Sequence, residues 1–207
     1  MENHIISAYI FLFLIVTGMV KSGLADDFEK VGIQQEVTLY ERWIPGEQGE
    51  KVRELKAEFT INSNISRILE VLKDANKSEQ WNVNAAEVKI RALDDPEQWL
   101  VYTRYDIPWP LNDQDCWVIY RQNGDPQHTV VSFSSMEGKA YGENEGIDRI
   151  TGIQGSWILE SVGTKKIKVT YRITSDRSDK VPRWVSDKVI HNNLYRTMAT
   201  FKHLSET

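Results

Sequence analysis

Two prolines set two residues apart interrupt the most strand-like stretch of this chain, and that interruption limits the fold more than any other feature. The stretch is Tyr102 to Arg121, YTRYDIPWPLNDQDCWVIYR. Trp99, Val101, Thr103 and Tyr105 share one parity, and Leu100, Tyr102, Arg104 and Asp106 share the other, so a strand here has two faces of different character. Pro108 and Pro110 cannot donate to a ladder, so pairing stops at them. Asn112, Asp113 and Asp115 are turn formers, and Cys116 to Arg121 resumes as a β-branched and aromatic run. The stretch reads as strand, corner, strand. A Pro-Trp-Pro-Leu corner is rigid and apolar, whereas loops are usually polar. Trp109 and Leu111 either pack beneath the sheet or cover something, a membrane included.

The flanking sequence extends this pattern. Gln35 to Trp43 reads as a strand, and Ile44 to Gly49 is a turn-rich break. Lys51 to Ile61 has the clearest period of two, with Leu55, Ala57, Phe59 and Ile61 alternating with Glu54, Lys56, Glu58 and Thr60. Asn62 or Asn64 can cap a helix from Ile65 to about Asn76. Strands are expected over Ala86–Ala92, His128–Ser134, Ile147–Ile153, Gly155–Val162 and Lys165–Thr174, with a polar loop over Gly138–Gly146. Val181 to Leu204 is the longest helix, with Pro182 in its first turn. The order is β-β-α, then strands, then a terminal helix. No alternating βαβ pattern appears. The expected class is α+β, an antiparallel sheet with helices on one face.

An antiparallel sheet of this length curves as it twists, and one helix laid in its concave face leaves space. Ile190, Leu194, Phe201 and Leu204 form an apolar stripe on that helix, with Asn193 and Thr197 on or beside it. Polar groups there are costly unless paired. They either bond neighbouring backbone or face a ligand or trapped water.

The 207 residues suit one domain, and the formal charge of −5 argues against non-specific nucleic-acid binding. Cys116 is the single cysteine, which excludes an intrachain disulfide and a cysteine metal cage; in its apolar strand it reads as a small buried hydrophobe. Ile5 to Val20 is almost wholly apolar, and Ser22-Gly23-Leu24-Ala25 offers small residues for cleavage. Residues 1–25 are therefore expected to be an export signal, cleaved after Ala25, with residues 26–207 as the domain. A retained anchor is the alternative, although the run is shorter than the roughly 20 residues that span a bilayer comfortably. The expected location is periplasmic or secreted.

Phosphate-cradling loops, HExxH and GxSxG are all absent. His191 and His203 stand about three turns apart on one helix, too far to share a metal. Asp187 and His191 are spaced for an i, i+4 ion pair. Asp113 and Asp115 read as turn and capping residues rather than acid/base carboxylates. No metal, cofactor or catalytic residue is expected.

Four segments resemble the START family, the lipid-transfer domains related to the steroidogenic acute regulatory protein. They are Glu79-Gln80-Trp81-Asn82, the corner Pro108 to Asp115, Ile167–Ile173, and Val181-Pro182-Arg183-Trp184 onward. The similarity runs from about Phe28 to Leu204. It implies a helix-grip fold, a curved antiparallel sheet wrapped around a long C-terminal helix and enclosing a hydrophobic tunnel. The ligand-facing residues that follow are Asn82, Thr103, Val118, Tyr120, Ile190, Asn193, Leu194, Thr197 and Phe201. Two departures stand out. Gln114 occupies a position where the family usually has arginine, so a salt bridge made there is expected to be lost. Thr103 and Tyr120 match the positions of the acid and arginine of sterol-binding members, which argues against a sterol held through that charge pair.

The leading expectation is a non-enzymatic, exported, monomeric protein that binds and transfers a lipid or similar apolar molecule, with transient membrane contact and no nucleic acid. The alternatives are a polyketide cyclase or aromatase of the same fold, which needs a positioned acid or base inside, and a START-like module with a filled core that binds protein. A cavity below about 300 Å³ favours the last.

Overall fold

The computed structural model describes residues 27–46, 49–107, 109, 112–136, 142, 145–174 and 183–207, and in the last segment the side chains from Asp187 onward. The expected export signal, most of the Gly138–Gly146 loop, and Pro108, Pro110 and Leu111 of the corner lie outside them.

Ten strands form one sheet. They are β1 (Glu29–Gln34), β2 (Val37–Pro45), β3 (Lys51–Ile61), β4 (Ala85–Ala92), β5 (Gln98–Tyr105), β6 (Asp113–Gly124), β7 (His128–Ser135), β8 (Ile147–Arg149), β9 (Gln154–Gly163) and β10 (Lys166–Thr174). Their spatial order is β1-β2-β3-β10-β9-β7-β6-β5-β4, antiparallel throughout, with β8 added beside β6. Three helices, α1 (Ile65–Leu72), α2 (Ala75–Trp81) and α3 (Arg183–Glu206), complete the fold. α3 packs against α1, α2, β2 and β3. The result is the expected α+β helix-grip.

Four local details differ from expectation. β1 is an additional edge strand, joined to β2 by Gln35 and Glu36 at φ 49° and 64°. That is a two-residue hairpin made without the glycine or asparagine such turns favour. The helix expected over 65–76 is two helices, because Asp74 takes an extended conformation and its carboxylate accepts from the Lys77 N–H at 3.1 Å, opening a second helix. The strand expected over 147–153 is only three residues long and runs parallel to β6. Asp115 is neither turn nor cap: it lies inside β6 and is 1 % exposed.

One face of the sheet carries the core. Val37, Leu39, Ala57, Phe59, Ile61, Ile167, Val169 and Leu159 are all buried there. An aromatic row crosses this face. Trp99 stacks on Tyr120 with ring centroids 5.3 Å apart, Tyr120 meets Phe133 at 5.3 Å, and Phe133 meets Tyr171 at 5.8 Å. Tyr171 lies 4.5 Å from Trp157, which lies 4.5 Å from Phe201 of α3, and Phe201 closes on Trp81 of α2 at 5.3 Å. Gly155 makes the middle of this row possible. A Cβ there would stand 2.3 Å from the Phe133 ring and 2.2 Å from the Arg172 carbonyl oxygen.

On the opposite face Phe28 lies over Arg42, Lys56 and Arg172, 4.4–5.2 Å from ring centroid to cation. Glu54 bridges the two arginines, accepting from Arg42 Nε at 2.7 Å and Arg172 Nε at 2.8 Å. The start of the described chain is thereby fixed across three strands.

Candidate functional site

Between α2, the core face of the sheet and α3 lies a partly open cavity of about 90 Å³. Its wall is built from strand parity. Thr103 and Tyr105 of β5, and Cys116, Val118 and Tyr120 of β6, alternate inward across a regular antiparallel register, Thr103 opposite Cys116 and Val101 opposite Val118. Phe133, Trp157, Tyr171 and Ile173 continue the wall, while Trp81, Asn82 and Thr197 come from the helical side.

Asn82 reaches the cavity because α2 ends there. It is the C-cap, extended at φ −86° and ψ 102°, and its N–H still bonds the Ser78 carbonyl at 3.1 Å. A tight turn follows, with Asn84 at φ 68°, a conformation asparagine tolerates. Asn82 Nδ2 donates to the Tyr105 hydroxyl at 3.0 Å. Thr197 accepts from the Val83 N–H at 3.3 Å, so it pins α3 to the turn after α2 rather than bonding its own helix.

The lining carries no carboxylate, imidazole, amine or guanidinium among the described residues. Its titratable groups are neutral ones. Burial pushes the hydroxyls of Tyr105, Tyr120 and Tyr171 well up, with Cys116 beside them adding to it. Burial, and then the neighbouring Asp115 carboxylate, raises the Cys116 thiol to about 12. The indole N–H groups of Trp81 and Trp157 are buried without a hydrogen-bond partner.

Of the nine residues expected to face a ligand, Asn82, Thr103, Val118, Tyr120 and Thr197 line this cavity. The other four, all on α3, stand elsewhere. Ile190 is 37 % exposed, Asn193 is half-buried, and Leu194 is half-buried against the core. Phe201 is fully buried and sealed against Trp81 and Trp157. Tyr105, Cys116, Tyr171, Trp81 and Trp157 were not singled out as site residues from sequence, although parity with Thr103, Val118 and Ile173 places the first three on the inward face.

α3 is held differently along its length. Its C-terminal half buries Tyr195, Met198, Phe201 and Ser205. Its earlier turns expose Val189 and Ile190 and are tied by polar pairs. Asp187 accepts from Arg53 at 2.7 Å, and His191 Nε2 lies 3.1 Å from Glu41. The expected Asp187–His191 pair is replaced by these two separate partners on β3 and β2. Trp43, 40 % exposed, and Trp109, 90 % exposed, lie at the same rim of the sheet as these turns.

The fold is the helix-grip seen in structures of StAR-related lipid-transfer domains. Human STARD10 superposes with a TM-score of 0.72 at 17 % identity, over 86 % of this chain and 72 % of that one. A STAR-related lipid transfer protein from Xanthomonas axonopodis also gives 0.72, at 22 % identity, over 86 % of this chain and 99 % of that one. The Zhui aromatase/cyclase from Streptomyces sp. R1128 gives 0.54 at 14 % identity, over 75 % and 94 %. In sequence, an uncharacterised protein of Pseudomonas aeruginosa is 22 % identical over 191 residues, 92 % of this chain and 93 % of that protein. No protein-family model matches the chain.

Proposed function

We propose that this protein is a non-enzymatic binding protein that takes one apolar molecule between its sheet and α3 and exchanges it at a membrane. The observation that carries this reading is the cavity at the point where α2, β5, β6 and α3 converge, walled by aromatics and by neutral hydroxyl groups. Burial is the driving force, about 0.8 kcal/mol for each CH₂ removed from water. A cavity of about 90 Å³ holds a functional group and not an acyl chain, since ligand pockets run roughly 300–1,000 Å³. The chain of a lipid needs further room, which the weakly buried early turns of α3 supply by moving outward while Phe201 stays anchored. Trp43, Trp109, Val189 and Ile190, exposed on that rim, would meet the headgroup layer, where tryptophan is favoured. The protein acts as a monomer outside the cytoplasm after removal of residues 1–25; Asp26 as first residue retains Phe28 and its contacts.

The volume favours a second reading, a START-like module with a filled core that binds protein. The cyclase reading draws support from the Streptomyces neighbour but needs an acid or base that the described lining lacks.

Extraction of the purified protein with organic solvent, followed by mass spectrometry and by uptake of a fluorescent lipid, separates these. A co-purified or captured lipid at one per chain is the expected result. No lipid and no uptake leaves the filled-core module. N-terminal sequencing of the protein from its native host tests cleavage after Ala25.

A further inference from the structure

Four of the six large apolar side chains that stand exposed among the described residues share one rim of the sheet: Trp43, Trp109, Val189 and Ile190. The strand registers define this rim. It runs from the β2–β3 turn, where Pro45 pairs with Lys51, past Thr174 of β10 and Gln154 of β9, to the corner after Tyr105. Val189 and Ile190 join it because Asp187, within one turn of them, is bonded to Arg53 near the start of β3. Tyr105 and Ile173, at the ends of β5 and β10, line the cavity, so the cavity reaches towards the same rim.

The charge of the rim decides which surface can press against it. Membrane binding gains from buried apolar area and, on anionic lipid, from basic side chains. Here the guanidinium groups are already engaged. Arg104 bonds Asp106 at 2.8 Å and Asp113 at 3.1 Å. Arg149 holds Asp115, and Arg53 holds Asp187 at 2.7 Å with Glu41 3.7 Å away. Asp113 also accepts from the Ile107 N–H at 3.1 Å, and Asp148 from Asn112 at 3.3 Å, so both carboxylates belong to the corner that carries Trp109. Four carboxylates there, Asp106, Asp113, Asp115 and Asp148, stand against two guanidinium groups. On the α3 side Lys51, Arg53 and Lys188 only balance Glu41, Glu50 and Asp187. The chain as a whole carries −5. An anionic bilayer would therefore repel the corner that has to insert its tryptophan.

We propose that this rim docks on a zwitterionic bilayer surface, by insertion of Trp109 and Trp43 with Val189 and Ile190, and that anionic lipid weakens the contact. The proposal rests on the membrane-exchange reading above and names the surface it uses. Asp106 and Asp113 are the specificity-determining residues, because they keep Arg104 from an anionic head group.

Cosedimentation of the full mature chain with vesicles tests this. One set is phosphatidylcholine alone, and the other is phosphatidylcholine mixed with phosphatidylglycerol at two to one. The unsubstituted protein is expected to associate several-fold more strongly with the first set at low salt. That gap should close as salt rises, since the screening length falls from about 30 Å at 0.01 M to about 8 Å at 0.15 M. Association with phosphatidylcholine alone should not change with salt. Asp106→Lys alters a side chain that is 67 % exposed and leaves Arg104 its bond to Asp113. It is expected to raise association with the mixed vesicles several-fold and to leave phosphatidylcholine unaffected. The comparison of the two vesicle sets does not depend on how the variant folds. Mixed vesicles bound as well as or better than phosphatidylcholine by the unsubstituted protein overturn the proposal while leaving a membrane-exchanging protein. If neither set is bound, the membrane-exchange reading fails and the proposal with it.

Discussion

Arg149 holds Asp115 from a strand that runs parallel to it. The guanidinium makes a two-pronged contact with the buried carboxylate, Nε to one oxygen and an Nη to the other, the second at 3.2 Å, and also donates to the Gly142 carbonyl at 2.6 Å. Gln114 stands where the family resemblance places arginine; the buried ion pair at its neighbour Asp115 is made by Arg149 of β8. Fork-to-carboxylate geometry of this kind is specific to arginine. β8 pairs with β6 over only three residues, so this ion pair is a main reason it stays there.

Arg149→Met is therefore expected to destabilise the protein by about 3 kcal/mol, because it strands a buried charge. Asp115→Asn combined with Arg149→Met should recover much of that loss. Urea denaturation of the single and double variants checks both, and equal losses in the two would contradict the account.

Arg53→Ala removes the partner of Asp187 and leaves Glu41 to His191 alone. Because the pairs are partly exposed, global stability should fall by no more than about 1 kcal/mol. Hydrogen exchange at residues 187–194 should rise well before that at 195–205, and lipid uptake should quicken. Uniform protection along α3 in the variant would refute a helix held in two parts.

Alkaline pH should unfold the protein earlier than its charge suggests. Cys116 moves from an ordinary 9.0 to about 12 on folding, and the three cavity tyrosines shift in the same direction. The folded state keeps protons that the unfolded chain releases, so stability is full below about pH 9 and is lost as pH rises towards about 12. Melting temperature measured from pH 7 to 11 should be flat and then fall, and Cys116→Ala should make the fall shallower. A flat profile to pH 11 would show the thiol and hydroxyls to be solvated.

Gly155→Val places a Cβ 2.2 Å from backbone oxygen that has no room to retreat. A cost of about 3 kcal/mol or more is expected, together with displacement of Phe133 from the aromatic row. Near-ultraviolet circular dichroism should report the displacement and thermal denaturation the cost.

Trp109→Ala should leave stability within about 0.5 kcal/mol, as for most exposed positions, yet reduce association with lipid vesicles several-fold. Cosedimentation measures the second. Unchanged association would remove the corner from the membrane-contacting surface.

How far the molecule was legible beforehand varied with the range of the interaction. β3 is found at its predicted limits because Glu54 to Ile61 alternate without interruption and a turn-rich break precedes it. β1 is not legible in the sequence because Gln35 and Glu36 give no turn signal, and only pairing with β2 makes that hairpin worthwhile. The break at Asp74 is a local cap, and the apolar stripe of Ile65, Ile68, Leu69 and Leu72 ends just before it. Family resemblance points to Asn82, Thr103 and Tyr120, whereas Tyr105 and Cys116 follow from parity alone once Thr103 and Val118 are set inward. The partners of Asp115, Asp187 and His191 were not readable, since each lies 34 to 150 residues away in sequence. Ile190 and Phe201 show the limit of helical periodicity. It puts both on one stripe and says nothing of the depth at which that stripe meets the sheet.

The placement of Trp81 and Trp157 on the cavity wall gives this protein a built-in optical gauge. Any guest that enters must alter the surroundings of two indoles that start in a dry, rigid setting. The chain carries 7 tryptophans, so occupancy is read as the change in total emission on filling, with no dye attached, and its kinetics can be followed on the unlabelled chain.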